Sequence, residues 1–488
     1  MKEKRPNVIL VTVDSLRADH LGCYGYSKST SPNLDRLAEE SYLFTNAFSN
    51  GPNTPHAFPA IMASRYSLMS NRFGLFDAPV TMAEILKSAG YTTAGFIAAN
   101  PWISRYFQYQ RGFDIFEDFI DFISIAGNLD INSEKQHTLF QKSLDGMANI
   151  AKTFIPENTN IYQLLEHWKV FLKGYSNIHH SLDNKRVLLE KFYNKFFNWI
   201  DANTQFPFFL WVHLMDTHYP YNPLNRFIEE LKLDGIDYTS VKKISVHLKY
   251  RLGLDSKTLQ QALNLYDGTI REVDFQLGLF FDLLKSKGLF EESIIVFTAD
   301  HGEEFNAHNG LLHTAKLYDE LIHVPLLIKV PEYAGGTKID SLISHLDLLP
   351  TLCRLLNLEY GTDKLLGNSF EKSLTSRLAQ QNSFVLSETI YDEKGEVPID
   401  ESVFYLQTVP KLYGLRTFNW KLIHDSKNGP THLFNLKQDP KEEVNLIRNK
   451  RNIALGLNEL LQVHIKQEYK NLLNTKISLI KDNLKSST

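Results

Sequence analysis

The amino-acid sequence predicts an α/β fold: a doubly wound, mostly parallel sheet flanked by helices, with a small C-terminal antiparallel sheet subdomain. Three observations predict it. Continuous apolar runs recur along the chain, helical patterns lie between these runs, and the sequence changes to short strands and turns past about residue 380. Strands that alternate with helices are typical of doubly wound sheets.

The apolar runs have the composition of strands that are buried on both faces. The run Val8–Val13 has the sequence VILVTV, which is rich in β-branched residues and has no polar alternation. Similar runs cover Thr92–Ala98, Pro207–His213 and Ser293–Thr298. Each run is therefore predicted to be a strand inside the parallel sheet.

Helical segments are predicted between these strands, for example over Ser31–Ser41 and Thr269–Lys287. Two longer stretches, 125–200 and 222–262, are rich in aromatic residues, Lys and Leu and show no strand alternation. We expect both to be mainly helical insertions that lie over the functional site and shape a substrate pocket.

The last part of the chain has a different sequence pattern from the rest. Short strand-like runs occur in the order Ser383–Ser387, Leu412–Arg416, Trp420–His424 and Thr431–Leu436, and residues 450–475 have an amphipathic helical pattern. The sequence thus predicts two units, a catalytic domain over residues 1–380 and a small-sheet subdomain with a closing helix over residues 381–488.

Composition limits the classes of function. The 488 residues carry a formal net charge of −4, which gives no basic surface for nucleic acid, and only two cysteines, which imply no disulfide framework. The apolar run near the N-terminus is too short for a signal peptide, and no run of about 18 apolar residues occurs. These features predict a cytoplasmic protein with no nucleic-acid partner and no transmembrane segment, and they leave the oligomeric state open.

Acids and histidines follow the predicted strands. Asp14 ends the first run, and Asp300 and His301 end another in the sequence FTADHGEE. In open α/β sheets, ligands bind outside the carboxyl ends of the strands, and both side-chain types are metal ligands. The alternative interpretation is that Asp14 and Asp300 cap the helices that follow them.

Thr54 lies in an irregular loop, Asn53-Thr54-Pro55-His56, that enters a helical segment. A hydroxyl at a helix N-terminus lies where developing negative charge is favoured, but a threonine needs a metal or a base to become nucleophilic. The alternative interpretation is a helix N-cap.

Histidines near the same sheet edge suit leaving-group protonation and oxyanion binding. His213 and His218 flank Asp216, and His308 and His313 follow the Asp-His pair. For each of them a purely structural role is the alternative, and His20, His56 and His323 are interpreted as structural or supporting residues.

Taken together, these segments resemble the sulfatase family of the alkaline phosphatase superfamily. The resemblance runs through most of the chain and is carried by NVILVTVDSLRADHLGCYG, TSPNLDRLAEES, PFFLWVHLMDTHYPY, IIVFTADHGEEFNAHNGLLHTAKLYDELIHVPLLI and SHLDLLPTLC. GLRTFNWKLIHD and HLFNLKQDPKEEVNL are similar to the family's C-terminal subdomain. By that resemblance the metal ligands are Asp14, Asp300, His301 and Thr54, and the catalytic residues are Thr54 as nucleophile with His218 and His313. Glu388 lies in a shared segment to which no role is assigned.

The sequence also departs from the family. Sulfatases carry Cys or Ser in a C/S-x-P-x-R motif that is converted to formylglycine, whereas Thr54 stands here and Phe58 replaces the arginine. Ser15 replaces the second acid of an Asp-Asp pair, and Ala98-Ala99-Asn100 replaces a Lys-x-His pair. Asp300 is followed by His, as in phosphonate monoester hydrolases and in lipoteichoic acid synthases, and the latter also use a threonine.

The resemblance implies a metal-dependent hydrolase of sulfate or phosphate esters that acts on a small-molecule or glycan ester. The hard oxygen ligands with one histidine favour Mn²⁺ or Ca²⁺, with Zn²⁺ as a further candidate, and no organic cofactor is implied. A second metal held by Asp216, His218, His308 or His313 stays open. The alternative functions are a transferase of phosphoryl-type head groups and a non-catalytic sulfatase-like binding protein.

Overall fold

The computed structural model describes residues 5–120, 182–203, 206–233, 236, 244, 255–332, 335–359, 365–375, 382–393, 395–398, 406 and 409–485. All structural statements concern these residues.

Within the described residues, fourteen strands form three sheets. They are β1 Asn7–Val13, β2 Tyr42–Phe48, β3 Thr92–Ile97, β4 Ile115–Glu117, β5 Phe208–Leu214, β6 Ser293–Ala299, β7 Glu304–Phe305, β8 Leu311–Leu312, β9 Leu326–Lys329, β10 Thr337–Ser344, β11 Val385–Ile390, β12 Lys411–Arg416, β13 Trp420–Asp425 and β14 Gly429–Asn435.

The large sheet has eight strands in the order β10-β2-β9-β6-β1-β5-β3-β4. Only β9 runs antiparallel to its neighbours, β2 and β6, and the other pairs are parallel. The four strands β11 to β14 form a separate antiparallel sheet, and β7 and β8 form a two-stranded hairpin. The predicted fold class is confirmed.

The α-helices are α1 Pro32–Glu39, α2 Thr54–Ala63, α3 Met82–Ser88, α4 Leu182–Ala202, α5 Asn225–Glu230, α6 Ser256–Ser286, α7 Asp319–Ile322, α8 Leu348–Leu355, α9 Glu371–Thr375 and α10 Arg451–Lys485. Short 3₁₀ turns cover Ala18–His20, Gly22–Tyr24, Ser67–Met69, Pro101–Ile103, Arg105–Phe107 and His345–Asp347. None of these described helices is both long and apolar enough to cross a bilayer.

The predicted insertions are only partly within the described residues. Of the 125–200 stretch, α4 is described and is helical, as predicted. In the 222–262 stretch, α5 and the start of α6 are helical. The remainder of both stretches lies outside the described residues.

The carboxyl ends of three central strands form the edge of the sheet at which the candidate site lies. Every residue of β1, β5 and β6 is buried, which is why their sequences are continuous apolar runs. Val13 is in register with Leu214 of β5 and with Ala299 of β6, so the carboxyl ends of the three strands are level. The backbone N–H of Asp300 then donates to Val13 O at 3.3 Å, so Asp14 and Asp300 follow neighbouring strands at one edge.

A cluster of ion pairs around the buried Lys421 joins the small sheet to the large domain. Asp319, at the start of α7, accepts hydrogen bonds from Lys421 Nζ at 2.9 Å and from Arg416 Nη2 at 3.2 Å. The Lys421 side chain is fully buried and also contacts Glu442 Oε1 at 2.7 Å. Burial alone would raise the pKa of Asp319, but Lys421 and Arg416 hold it well below its usual range. This ion cluster therefore fixes the small sheet against α7.

We expect Asp319→Asn to lower the free energy of unfolding by about 2–3 kcal/mol, because the buried Lys421 loses one of its two carboxylates. Urea unfolding followed by circular dichroism measures the change. Glu443→Gln, at an exposed position next to the cluster, is the matched control and leaves the midpoint unchanged. Equal midpoints for the two variants would contradict the structural role of the cluster.

Candidate active site

The turn after β1 brings two carboxylates together. Ser15 has a positive φ of 57°, and its backbone N–H donates to Asp300 Oδ1 at 3.3 Å. The Ser15 hydroxyl donates to Asp14 Oδ1 at 2.7 Å. The alternative interpretation, in which Asp14 and Asp300 cap the helices that follow them, does not describe these side chains, since both face the same buried space.

The turn after β6 requires glycine. A Cβ on Gly302 would lie 2.0 Å from the backbone oxygen of Glu320, so any side chain would displace α7. The close approach orients His301, whose Nδ1 lies 2.7 Å from Gly302 O. A carbonyl only accepts, so Nδ1 carries the hydrogen and Nε2 presents its lone pair to the carboxylates.

Asp14, Asp300 and His301 form a group that can hold a metal ion. One ligand atom from each residue lies within 4.8 Å of the other two, and all three side chains are fully buried. His301 Nε2 is 3.6 Å from Asp300 Oδ2 and 3.8 Å from Asp14 Oδ1. Among the described residues, neither Asp300 Oδ2 nor His301 Nε2 has a hydrogen-bond partner. Such buried, convergent and unpartnered acceptors fit a divalent cation.

The electrostatics support the same conclusion. Burial and the neighbouring Asp14 carboxylate raise the pKa of Asp300 to about 8. Burial would also raise the pKa of Asp14, but the nearby imidazoles, His218 foremost, hold it well below its usual range. Burial and His313 lower the pKa of His301 to about 4, so this imidazole is neutral and able to ligate. A cation between the carboxylates would neutralise charges that repel each other.

Thr54 lies at the first position of α2, next to this group. Its side chain is 4% exposed, and its hydroxyl donates to Asp14 Oδ2 at 3.2 Å. Asn53, not Thr54, occupies the N-cap position of the helix. The hydroxyl therefore faces the carboxylates rather than capping α2.

Asn100, which follows β3, is a site residue that the sequence did not single out. Its Nδ2 donates to Asp14 Oδ2 at 2.8 Å and lies 3.3 Å from Thr54 Oγ1. In the sequence, Asn100 is distinguished only because Ala98-Ala99-Asn100 replaces the Lys-x-His pair of the family. Its place at the end of a predicted parallel strand was the available signal.

The predicted histidines His218 and His313 lie together beside the metal group. Their ring centroids are 5.2 Å apart, and the ring of His313 is 4.7 Å from that of His301. His218 Nδ1 donates to Tyr219 O at 2.6 Å. The two rings thus form one cluster with His301 at the edge of the metal group.

The carboxylate of Glu303 orients His313. The sequence alone does not predict Glu303 as a residue of the candidate site. Its Oε1 accepts from His313 Nδ1 at 3.1 Å, and its Oε2 accepts from Tyr221 OH at 2.7 Å. Burial opposes the charge on His313, but Glu303 outweighs it, so the pKa of His313 is raised. The sequence DHGEE shows that Glu303 is close to Asp300 and His301, but it does not indicate that Glu303 bonds His313.

Of the other candidate histidines and acids, His213 contacts the metal group, whereas Asp216 and His308 have partners elsewhere. His213 Nε2 is 3.6 Å from Asp14 Oδ2. Asp216 Oδ2 accepts from Tyr193 OH at 2.9 Å. His308 contacts Glu320 Oε1 at 2.8 Å and stacks on Tyr318. Within the ranges that the structure describes, no second group brings three metal-ligating side chains together.

Phe58, which stands where a sulfatase carries arginine, is fully buried. Its ring contacts the rings of Tyr109, Trp211 and His213, at centroid distances of 6.1, 5.5 and 5.0 Å. The surroundings are aromatic and would desolvate a guanidinium, so the apolar residue belongs to the local packing.

The supporting residues are structural in their contacts. His20 Nδ1 is 2.7 Å from Asp267 Oδ1, and His323 Nε2 contacts Thr45 O at 2.9 Å. Glu388 is buried in β11 and accepts from the backbone N–H of Leu68 at 2.6 Å. Glu388 thus holds the segment that follows α2, which gives a structural reason for its presence.

Comparison with known proteins gives the family. A model of the sulfatase family matches residues 6–358, and a model of the C-terminal region of N-sulphoglucosamine sulphohydrolases matches residues 308–470. An arylsulfatase of Clostridium perfringens is 24% identical over 91% of this chain and 91% of its own length. An N-acetylglucosamine-6-O-sulfatase of Bacteroides thetaiotaomicron is 24% identical over 94% of this chain and 86% of its own length. Among solved structures, a phosphonate monoester hydrolase of Agrobacterium radiobacter superposes with a TM-score of 0.65 at 20% identity, covering 95% of this chain and 96% of the other.

We expect Asp300→Asn to abolish the stabilisation that Mn²⁺ gives the wild-type protein. A ligand at 100 times its Kd stabilises the folded state by about 2.7 kcal/mol, and the variant lacks a ligand atom for this gain. In chelator, the variant is about as stable as wild type, because burial and Asp14 raise the pKa of Asp300 to about 8 and its side chain is already mostly uncharged at neutral pH. Thermal unfolding with and without Mn²⁺ measures both effects.

The matched control is Asp340→Asn, which alters an acid on β10 that bonds Thr45 and should retain the full Mn²⁺ response. An Asp300→Asn protein that Mn²⁺ stabilises as strongly as wild type would remove Asp300 from the metal site.

Proposed function

The chain belongs to the sulfatase family, and we propose that it is a metal-dependent hydrolase of sulfate or phosphate esters with Thr54 as its nucleophile. The observation that carries the proposal is the hydrogen bond from the Thr54 hydroxyl to Asp14, beside the unpartnered ligand atoms of Asp300 and His301.

Asp14, Asp300 and His301 would hold the cation, with Thr54 as a further ligand. When bound, a divalent cation neutralises charge on the ester oxygens and lowers the pKa of a hydroxyl beside it. The donor set has hard oxygens and one imidazole, which favours Mn²⁺ or Ca²⁺, with Zn²⁺ as a further candidate. The two buried atoms without a hydrogen-bond partner, Asp300 Oδ2 and His301 Nε2, support this assignment.

The first chemical step is attack by Thr54 Oγ1 on the sulfur or phosphorus atom. The hydroxyl hydrogen points to Asp14 Oδ2, which accepts the proton as the new bond to oxygen forms. Asn100 Nδ2, 3.3 Å from the same hydroxyl oxygen, holds it in place without competing for its proton. The bond from sulfur or phosphorus to the alcohol oxygen breaks, which leaves the group on Thr54.

His313 provides the proton for the leaving alcohol. Its Nδ1 is held by Glu303, so its Nε2 is the atom available to the substrate. In the second step, His313 takes a proton from water as that water attacks the group on Thr54, and the proton on Asp14 returns to the threonine oxygen. His218, whose Nδ1 is fixed by Tyr219 O, would hold a non-bridging oxygen with its Nε2.

The relatives and the site both support a class of substrate. Relatives of this chain include sulfatases that are named for N-acetylglucosamine and N-acetylgalactosamine sulfates, and this supports a small-molecule or glycan ester as substrate. The aromatic packing around Phe58 leaves the arginine position of the sulfatase motif without a cation. Phosphate esters therefore fit this site at least as well as sulfate esters.

We expect Thr54→Ala to reduce kcat by about 10³-fold or more, because the nucleophilic oxygen is removed. Thr54→Ser is the matched variant and retains activity, because it keeps the oxygen. Turnover of aryl sulfates, aryl phosphates and aryl phosphonates, each with and without chelator and with a competing alcohol, measures the effect and separates hydrolysis from transfer. Unchanged turnover by Thr54→Ala would remove Thr54 from the mechanism.

The pH dependence reports on His313. The acid form of His313 is needed, so activity falls as pH rises through its pKa, which Glu303 raises. We expect Glu303→Gln to move the basic limb of the kcat profile to lower pH, since the charge that stabilises the imidazolium is gone. His313→Gln abolishes that limb. A basic limb unmoved in Glu303→Gln would show that another group supplies the proton.

A further inference from the structure

Asn53 has a buried amide that does not serve its helix. It occupies the N-cap position of α2, where Asn normally accepts a hydrogen bond from the first turn. Its side chain makes no such bond, although it is only 4% exposed. Instead, Asn53 Oδ1 lies 2.5 Å from Nδ1 of His56. The side chain is thus oriented by something other than helix capping.

The hydrogen-bond chain fixes which way the amide faces. The backbone N–H of Ile390, in β11, donates to His56 Nε2 at 3.2 Å. Nε2 is therefore the acceptor of the neutral ring, and Nδ1 carries the hydrogen that it donates to Asn53 Oδ1. Asn53 Oδ1 is occupied, and the remaining terminal atom of the amide is the NH₂ group. That Nδ2 is buried and has no hydrogen-bond partner within the described part of the chain.

The residue that carries this donor is the chain neighbour of the proposed nucleophile. Asn53 directly precedes Thr54, whose hydroxyl faces Asp14. Pro55 follows at the second helical position and has no N–H to offer an anion. One turn further on, Phe58 is packed among aromatic rings and offers no donor. Neither the backbone of Pro55 nor the side chain of Phe58 therefore provides a hydrogen-bond donor near the N-terminus of α2. The NH₂ group of the N-cap residue Asn53 is a donor there, and it has no partner within the described residues.

We propose that Asn53 Nδ2 donates a hydrogen bond to a non-bridging oxygen of the sulfuryl or phosphoryl group during its transfer to Thr54. This inference rests on the proposed function. Negative charge is spread over the non-bridging oxygens in the transition state, and a donor whose direction is already fixed stabilises that charge without reorganisation. His56 and the backbone of Ile390 act as the positioning residues that fix the donor.

The test uses orthovanadate, which mimics the transferred group, and the full-length protein with saturating Mn²⁺. The variants are Asn53→Ser, which keeps an N-capping hydroxyl but lacks the amide, and Asn53→Asp, which keeps the shape but replaces the donor with a charged acceptor. Asn46→Ala is the matched control, because Asn46 lies on β2 and bonds Thr45 and Asp340. Calorimetry gives the vanadate Kd, and thermal unfolding reports on folding.

We expect Asn53→Ser to weaken vanadate binding about tenfold or more and to lower kcat about 10²-fold with a smaller change in KM. Asn53→Asp is weaker still. Asn53→Ser loses the acceptor for His56 Nδ1 and is therefore somewhat less stable, but both variants stay folded and keep the full Mn²⁺ response. Asn46→Ala matches wild type. A vanadate Kd in Asn53→Ser equal to that of wild type, or no vanadate binding by wild type, overturns the inference.

The two proposals fail in different ways. If wild type hydrolyses no ester, the proposed function fails, and the vanadate titrations still decide whether Asn53 binds an oxyanion. If wild type is active and Asn53→Ser has the same kcat, the function stands and the role of Asn53 is rejected.

Discussion

The structure depends on two buried carboxylates held side by side where neighbouring parallel strands end. Asp14 and Asp300 have fully buried side chains, and the level ends of β1 and β6 leave them no freedom to separate. Two like charges in a low-dielectric interior would repel strongly, which is why burial and Asp14 raise the pKa of Asp300 to about 8. Ser15 and Asn100 supply only part of the compensation, through their hydrogen bonds to Asp14. The imidazole lone pair of His301 converges on the same point. The arrangement opposes folding, and a cation bound at the proposed site would offset that cost.

The small C-terminal sheet contributes directly to this site. Glu388 N–H donates to Asn50 O at 2.9 Å, and Asn50 Nδ2 donates to Leu386 O at 2.7 Å. Ile390 N–H reaches His56 at 3.2 Å, and Ser387 Oγ reaches Ser49 O at 2.5 Å. Strand β11 is therefore bonded to both ends of the loop that carries Thr54. The ion cluster around Asp319 fixes the same sheet to α7, so the geometry of the Thr54 loop depends on a part of the chain more than 300 residues away.

Much of the fold and part of the site could be predicted because they follow from local pattern. Strands buried on both faces need continuous apolar sequence, and the carboxyl ends of parallel strands meet at one edge, so Asp14, Asp300 and His301 were expected together. The start of α6 was predicted at Thr269 and lies at Ser256, because its first turns are polar and are set by the Asp255 side chain, which accepts from Thr258 N–H. Glu303 and the link from Asn53 through His56 to Ile390 could not be predicted, because each depends on contacts between segments far apart in sequence. The domain boundaries and the roles of the site residues stay predictions.

The most direct test of this account is anomalous diffraction from crystals of the wild-type protein grown with Mn²⁺. The account predicts one strong peak within coordination distance of Asp14, Asp300 and His301, with the Thr54 oxygen facing it. A peak elsewhere, or saturating Mn²⁺ with no density among these three side chains, would contradict it.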